Sequence, residues 1–306
     1  MLRFLLSRLI QGLIVILAVI TITFALSRML PGGPIQSEKN TSPEAIAAQR
    51  AYLGLDKPWY VQLGMQIGHY ARLDLPESFH FKGRGVDEII ASGFPVSGAV
   101  GLTALVIALA LGVPLGALAA LKPNTLEDRA CMLAATCGIC TPSMILGPVI
   151  ALLLGLKLRW FNASGWYDPS DVVMPALTLG IIYSAQIARL TRGSLRETLA
   201  QEFIRTARAK GASESSVVFL HALKLACLPV LNFLGPAAAG LLTGSIVVES
   251  VFQLPGLGQF FIASAINRDM NLAIGISVFY ATLIVGFNLL VDVLQAWLNP
   301  RIRLNA

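Results

Sequence analysis

The sequence predicts an all-α polytopic membrane protein with six transmembrane helices, and two observations carry that prediction. Only 13% of the 306 residues are charged and 55% are apolar, whereas an ordinary soluble domain carries about 25% charged residues. In addition, six charge-free runs are long enough to cross about 30 Å of hydrocarbon at about 1.5 Å per residue. They are Leu9–Ser27, Phe94–Leu121, Ala130–Leu156, Val172–Ala188, Leu225–Val248 and Met270–Val291. Lipid offers the backbone no hydrogen-bond partner, so each run is expected to be helical. Mean hydropathy is +0.70. The formal charge of +6 invites a nucleic-acid reading, but the basic residues sit between apolar runs and not along one polar face. Lipid is the expected partner, and nucleic acid is not.

The first run follows Arg3 and Arg8, as a signal peptide would. Its apolar stretch exceeds the usual length of such a peptide's core and no A-x-A-like site follows it. It reads as a retained helix that exits at Leu30-Pro31-Gly32-Gly33-Pro34. Segment 31–93 is too polar for the membrane and mixes charges with Trp59, Tyr60, Tyr70, Phe79 and Phe81. It is expected to fold in part as an extracytoplasmic cap between the first and second helices. The division expected is 1–93, the first helix plus this segment, and 94–306, a five-helix core. In the second run Gly112 and Gly116 have the G-x-x-x-G spacing, which fits either close helix packing or a kinked helix with incidental glycines. The third run holds Cys131, Cys137 and Cys140, and Pro142 and Pro148 are expected to kink or start helices there. The Cys137-x-x-Cys140 pair resembles half of a metal site, but no His or second pair lies near. The cysteines read as small apolar residues, and no metal is expected. The fourth run, at 17 residues, is the shortest.

Short-loop Lys and Arg set the orientation. One side collects Arg3, Arg8, Lys122, Arg129, seven basic residues from Arg189 to Lys224, Arg301 and Arg303; the other holds Lys157, Arg159 and Arg268. Thirteen against three places both termini in the cytoplasm, with segment 31–93 outside.

The cytoplasmic loop 189–224 is the most informative part of the chain. Residues 194–210 are largely helix formers, with Arg208 and Lys210 in the last turn, where cations favour the negative end of the helix dipole. Gly211 fits the position after the helix, where a positive φ is usual. Ser213 can cap a second helix, with Glu214 in its first turn. The spacing predicts a short helix, a sharp glycine turn and a second helix leading into the fifth span. Phe203, Ala207 and Gly211 share one face of the first helix, and Arg205 and Arg208 share another. Such a surface suits a knob docking into a partner's groove, and it equally suits a basic linker resting on anionic lipid.

The run Phe203-Ile204-Arg205-Thr206-Ala207-Arg208-Ala209-Lys210-Gly211-Ala212, followed by His221-Ala222-Leu223-Lys224 and Leu228-Pro229, resembles the coupling loop of ABC-importer permeases. More narrowly it resembles the oligopeptide/dipeptide/nickel branch. Arg205 and Thr206 stand where the general Glu-Ala-Ala…Gly motif has Glu and Ala, while Ala207 and Gly211 match it. Val248-Glu249-Ser250-Val251-Phe252-Gln253-Leu254-Pro255-Gly256-Leu257-Gly258 resembles the branch's loop after the fifth helix. Asn299-Pro300-Arg301-Ile302-Arg303 resembles its C-terminal signature, with Asn299 where Asp is common. The likeness covers essentially the whole chain and is nearest to the B-type subunits of oligopeptide permeases.

This resemblance implies a type I permease of the bacterial inner membrane that imports peptides, most nearly oligopeptides, and does no chemistry itself. It implies a second, C-type permease, two ATP-binding subunits and an extracytoplasmic substrate-binding protein as partners. ATP and Mg would be held by the ATP-binding subunits, and no cofactor by this chain. The sequence fits that division, because it has no G-x-x-x-x-G-K-[ST] phosphate loop. Enzyme readings lack a constellation: His69, His80 and His221 are scattered, and neither H-E-x-x-H nor G-x-S-x-G occurs. Dipeptide, glutathione or chelated nickel are alternative ligands, and an ion-coupled secondary transporter is the rival class. Asp292 continues an apolar helix, where an ion pair with Arg301 or Arg303 and a proton relay are the open readings. Glu249 closes the fifth run, where a solvated interface, a loop contact and a ligand contact are all open.

Overall fold

The computed structural model describes residues 2–29, 44, 51, 54 and 56–298. Among them the regular elements are all helices, with no strand; an isolated bridge pairs Glu77 with Gly85. In chain order the helices are α1 Leu2–Met29, α2 Trp59–Arg72, α3 Val86–Leu121, α4 Leu126–Cys140 and α5 Ser143–Lys157. A 3₁₀ turn at Pro169–Val172 then leads into α6 Val173–Leu199. The rest are α7 Glu202–Ala209, α8 Glu214–Ala226, α9 Leu228–Leu242, α10 Ile246–Phe252, α11 Leu257–Ile266 and α12 Met270–Leu298. The proposed exit at Leu30–Pro34 and the C-terminal signature from Asn299 lie outside the described residues.

Four stretches are straight, long and apolar enough to cross a membrane: Leu6–Met29, Val86–Leu121, Pro169–Leu199 and Met270–Gln295. The fourth expected run is thus the apolar half of a longer helix. Arg189, Arg192 and Arg196 end its apolarity but not its hydrogen-bond ladder. The third run, Ala130–Leu156, is not one straight helix. It breaks by 103° between α4 and α5, where Thr141 is extended and Pro142, which has no N–H to donate to the preceding turn, starts α5. The fifth run, Leu225–Val248, is also interrupted. The chain bends by 49° between α8 and α9 at Pro229, and α9 ends before Gly244, whose φ is +85°. The segment after it, expected to be a loop, forms two short helices, α10 and α11. Ser245 caps α10, and Gln253 ends it in the left-handed region.

By contacts the chain divides into two units. One comprises Val96–Pro255 and the chain from Gly286 onward; the other comprises Leu2–Pro95 and Gly256–Val285. In the first unit small residues let helices approach closely. A Cβ at Gly112 would lie 2.6 Å from the Ser184 carbonyl oxygen and 2.8 Å from the Ile187 side chain. Gly116 packs in the same way on Ala188 and Thr191. The G-x-x-x-G spacing is therefore the α3–α6 contact. Ala135 of α4 meets Ala185 and Ala188 of α6 on another side.

In the second unit Ile20 and Phe24 of α1 pack on Met270 and Ile274 of α12. Val86, Ile89 and Ile90 of α3 meet Leu257, Leu272 and Ile276. The described part of the expected cap is tied down by polar groups. Asp269 is fully buried and accepts from Ser78 Oγ, from the His80 N–H at 3.0 Å and from the Leu272 N–H at 3.0 Å. It therefore caps α12 and holds the 78–80 turn at once. Asn271 Nδ2 donates to the Glu77 carbonyl at 2.8 Å and Gln66 Nε2 to Asn271 Oδ1 at 2.7 Å.

Candidate functional site

The loop singled out from the sequence is two helices with a sharp turn between them. The expected helix over 194–210 is broken at Ala200 and Gln201, where α6 stops and α7 starts afresh. α7 ends in a paired turn: the Gly211 N–H donates to the Arg208 carbonyl at 3.0 Å and the Ala212 N–H to the Ala207 carbonyl at 3.2 Å. This bond pattern needs a left-handed residue after the helix, and Gly211 supplies it with φ +84°. Ser213 Oγ then accepts from the Ser216 N–H at 3.4 Å and caps α8.

α7 is held from beneath by one residue that the sequence reading missed. Ile204 is fully buried among Ala120 of α3, Leu195 of α6 and Val217, Ala222 and Ala226 of α8, with Ala207 and Ala212 partly buried beside it. The inner face is thus Ile204 with Ala207, three residues apart, and not Phe203 with Ala207. Phe203 is 38% exposed, and Arg205, Thr206, Arg208 and Gly211 face outward with it. The signal for Ile204 was its aliphatic side chain three residues before Ala207, which puts the two on one helical face.

Charge on this surface is organised. Arg208 donates through Nε and Nη2 to the two oxygens of Glu214, at 2.8 and 3.0 Å, across the glycine turn. The hydrogen bond to Glu214 raises the Arg208 pKa, so the guanidinium stays charged. Arg205 is exposed. A second bidentate contact, Arg192 to Asp128 at 2.5 and 2.7 Å, joins α6 to α4. Asp128, almost fully buried, also accepts from the Asn124 N–H at 3.0 Å. The 122–129 and 189–196 segments, which the charge count puts on one side of the membrane, are therefore in contact.

The other residues picked out from the sequence lie elsewhere. Glu249 is not at a solvated interface: it is 1% exposed on α10 and accepts from Ser97 Oγ of α3 at 2.6 Å. Pro255 is exposed, Gly256 caps α11, and Gly258 is buried in its first turn. Asp292 is half-buried on α12, and Arg301 and Arg303, its expected partners, lie outside the described residues.

Comparison with known proteins agrees with this architecture. A family model described as binding-protein-dependent transport system inner membrane component matches residues 112–304, and one for the N-terminal part of such components matches 1–70. The oligopeptide transport system permease protein OppB of Haemophilus influenzae is 41% identical over 305 residues, covering 99% of this chain and 100% of its own. OppB of Salmonella typhimurium is 39% identical with the same coverage. The dipeptide transport system permease protein DppB of Bacillus subtilis is 37% identical, covering 100% of this chain and 99% of its own. In fold, a chain of the inward-facing MetNI methionine ABC transporter matches with a TM-score of 0.58 at 17% identity, over 69% of this chain and 96% of that one. The chain belongs to the family of binding-protein-dependent transport system inner membrane components, and is a multi-pass protein of the bacterial inner membrane.

Proposed function

We propose that this chain is a permease subunit of an ATP-driven importer of peptides, and that α7 with its Gly211 turn is where an ATP-binding subunit docks. The observation that carries the first part is the full-length identity of 37–41% to oligopeptide and dipeptide permeases. Oligopeptides are the better supported ligand, because the relatives at 39–41% are oligopeptide permeases. The partners are an extracytoplasmic binding protein, two ATP-binding subunits that hold ATP and Mg, and a second permease of the C type. This chain catalyses nothing itself.

The docking reading is supported by local geometry. A rigid helix–turn–helix exposes Phe203, Arg205 and Arg208 while Ile204 fixes it to α3, α6 and α8. Closure of the ATP-binding subunits would push on α7 and pass through that anchor into the spans as alternating access. This requires loop 189–224 and both termini in the cytoplasm. In an otherwise cysteine-free chain, Lys57→Cys should react with an impermeant thiol reagent in intact cells and Glu214→Cys should not; the reverse pattern inverts the topology.

The experiment that tests the function is uptake of a labelled oligopeptide into vesicles holding the assembled transporter and its binding protein. Uptake should follow internal ATP and persist when the proton gradient is collapsed. Gradient-driven uptake by this chain alone, without ATP, would refute the reading in favour of an ion-coupled carrier.

A further inference from the structure

An apolar cavity of about 460 Å³ opens within the second unit, between α1, α2 and α12. Leu13 and Leu17 of α1 and Val278 and Thr282 of α12 wall it, and Tyr70 and Leu73 roof it. Its depth in the membrane follows from the bonds of α2. Arg28, just past the charge-free run of α1, donates to Gln62 at 3.1 Å, and Gln66 donates to Asn271 at the start of α12. α2 therefore lies at the level where two apolar helices leave the hydrocarbon. The cavity lines α12 from Gly275 to Thr282, about 10 Å at about 1.5 Å per residue, and its deep end at Thr282 lies about 18 Å from the start of that helix. That is the depth of roughly one leaflet of a hydrocarbon core about 30 Å thick.

Its polarity is that of a site for an amphiphile. The walls are apolar apart from Thr282, whose hydroxyl donates to the Val278 carbonyl at 2.8 Å, and the charged group nearest the lining lies at the α2 end. Arg72 is exposed between Ala71 and Leu73, both of which line the cavity. The mouth is rimmed by exposed side chains, with Leu13 58% and Leu17 37% accessible, so it opens away from the protein.

We propose that this cavity binds one glycerophospholipid of the outer leaflet, with an acyl chain between α1 and α12 and the phosphate beside Arg72. The leaflet rests on the orientation proposed above; the lipid chemistry does not. A bound lipid would fasten α1, which packs on the rest of the described unit along one stripe, Gly12, Ile16, Ile20 and Phe24.

The test uses the assembled transporter in vesicles containing phosphatidylethanolamine with a photoreactive group midway along one acyl chain. After illumination, label should concentrate several-fold on Leu13–Ile20 and Val278–Thr282 relative to Leu102 and Val106, which are exposed on α3. Leu17→Trp and Thr282→Phe fill the cavity from its rim and should each bring that label down to the α3 level. Both sit at the exposed mouth, so either suffices if the other accumulates poorly. Arg72→Gln should lower retention of the phospholipid probe through detergent washing, while a diacylglycerol carrying the same group is unaffected. Even labelling of all apolar surfaces, unchanged by the filling variants, would mean bulk solvation only and overturn the proposal. So would crosslinking of Leu17 to another polypeptide in place of lipid.

Discussion

Arg208 and Glu214 close a bidentate ion pair over the Gly211 turn, with Nε–Oε1 2.8 Å and Nη2–Oε2 3.0 Å. The pair links the end of α7 to the first turn of α8. Both groups are well exposed, so it adds little to folding stability; what it fixes is the direction in which α7 points. Glu214→Gln and Arg208→Ala should therefore leave membrane abundance unchanged. ATP hydrolysis stimulated by loaded binding protein should fall several-fold. The exchanged pair, Arg208→Glu with Glu214→Arg, should recover much of it if the bridge matters for orientation. Normal stimulation in both single variants would make the pair incidental.

Ile204 makes a different prediction, because it acts through burial. Ile204→Ala removes a fully buried side chain and leaves a cavity under α7, at a cost of about 2–5 kcal/mol in such sites. The loss is local to the loop and its contacts with α3, α6 and α8. The chain should still insert, but the ATP-binding subunit should no longer co-purify in mild detergent. Ile204→Val, at about 0.5–1.5 kcal/mol, should retain it. Full co-purification with Ile204→Ala would show that α7 needs no anchor.

Asp128 and Arg192 bridge α4 and α6. Removing one partner leaves a charge unmatched in a confined place, which is worse than removing both. Asp128→Leu should lower the midpoint of thermal unfolding in detergent and reduce abundance, and the double variant Asp128→Leu with Arg192→Leu should recover part of the loss. A single variant as stable as the original chain would mean that α4 is held to α6 by Ala135, Ala185 and Ala188 alone.

The parts legible in the sequence were those governed by local rules. Gly211 and Ser213 could be placed because a positive φ and a helix cap depend on a few neighbouring residues. Pro142 marked a break, but its 103° angle depends on how α5 packs. Gly112 and Gly116 left two readings open, and only the position of α6 decided between them. Charge misled at the end of the fourth run, since Arg189 ends an apolar stretch without ending a helix. Glu249 stayed open among three readings for another reason. The partner that holds it, Ser97, lies 152 positions earlier, and Pro255-Gly256 made the surrounding segment look like a loop when it is two short helices.

The central claim is that the α7–Gly211–α8 turn transmits the work of the ATP-binding subunits, and Gly211 isolates it. No atom lies within 4 Å of a Cβ added there, so a substitution meets only the cost of its φ of +84°. For a β-branched residue such strain is on the order of 1–3 kcal/mol, the size of typical coupling free energies between distant sites. Asn visits this region far more readily. The measurement is peptide uptake by vesicles containing the assembled transporter, at matched abundance of this chain. The account predicts uptake lost in Gly211→Val and largely kept in Gly211→Asn. Uptake by Gly211→Val equal to that of the unaltered chain would contradict it and reduce the loop to a linker.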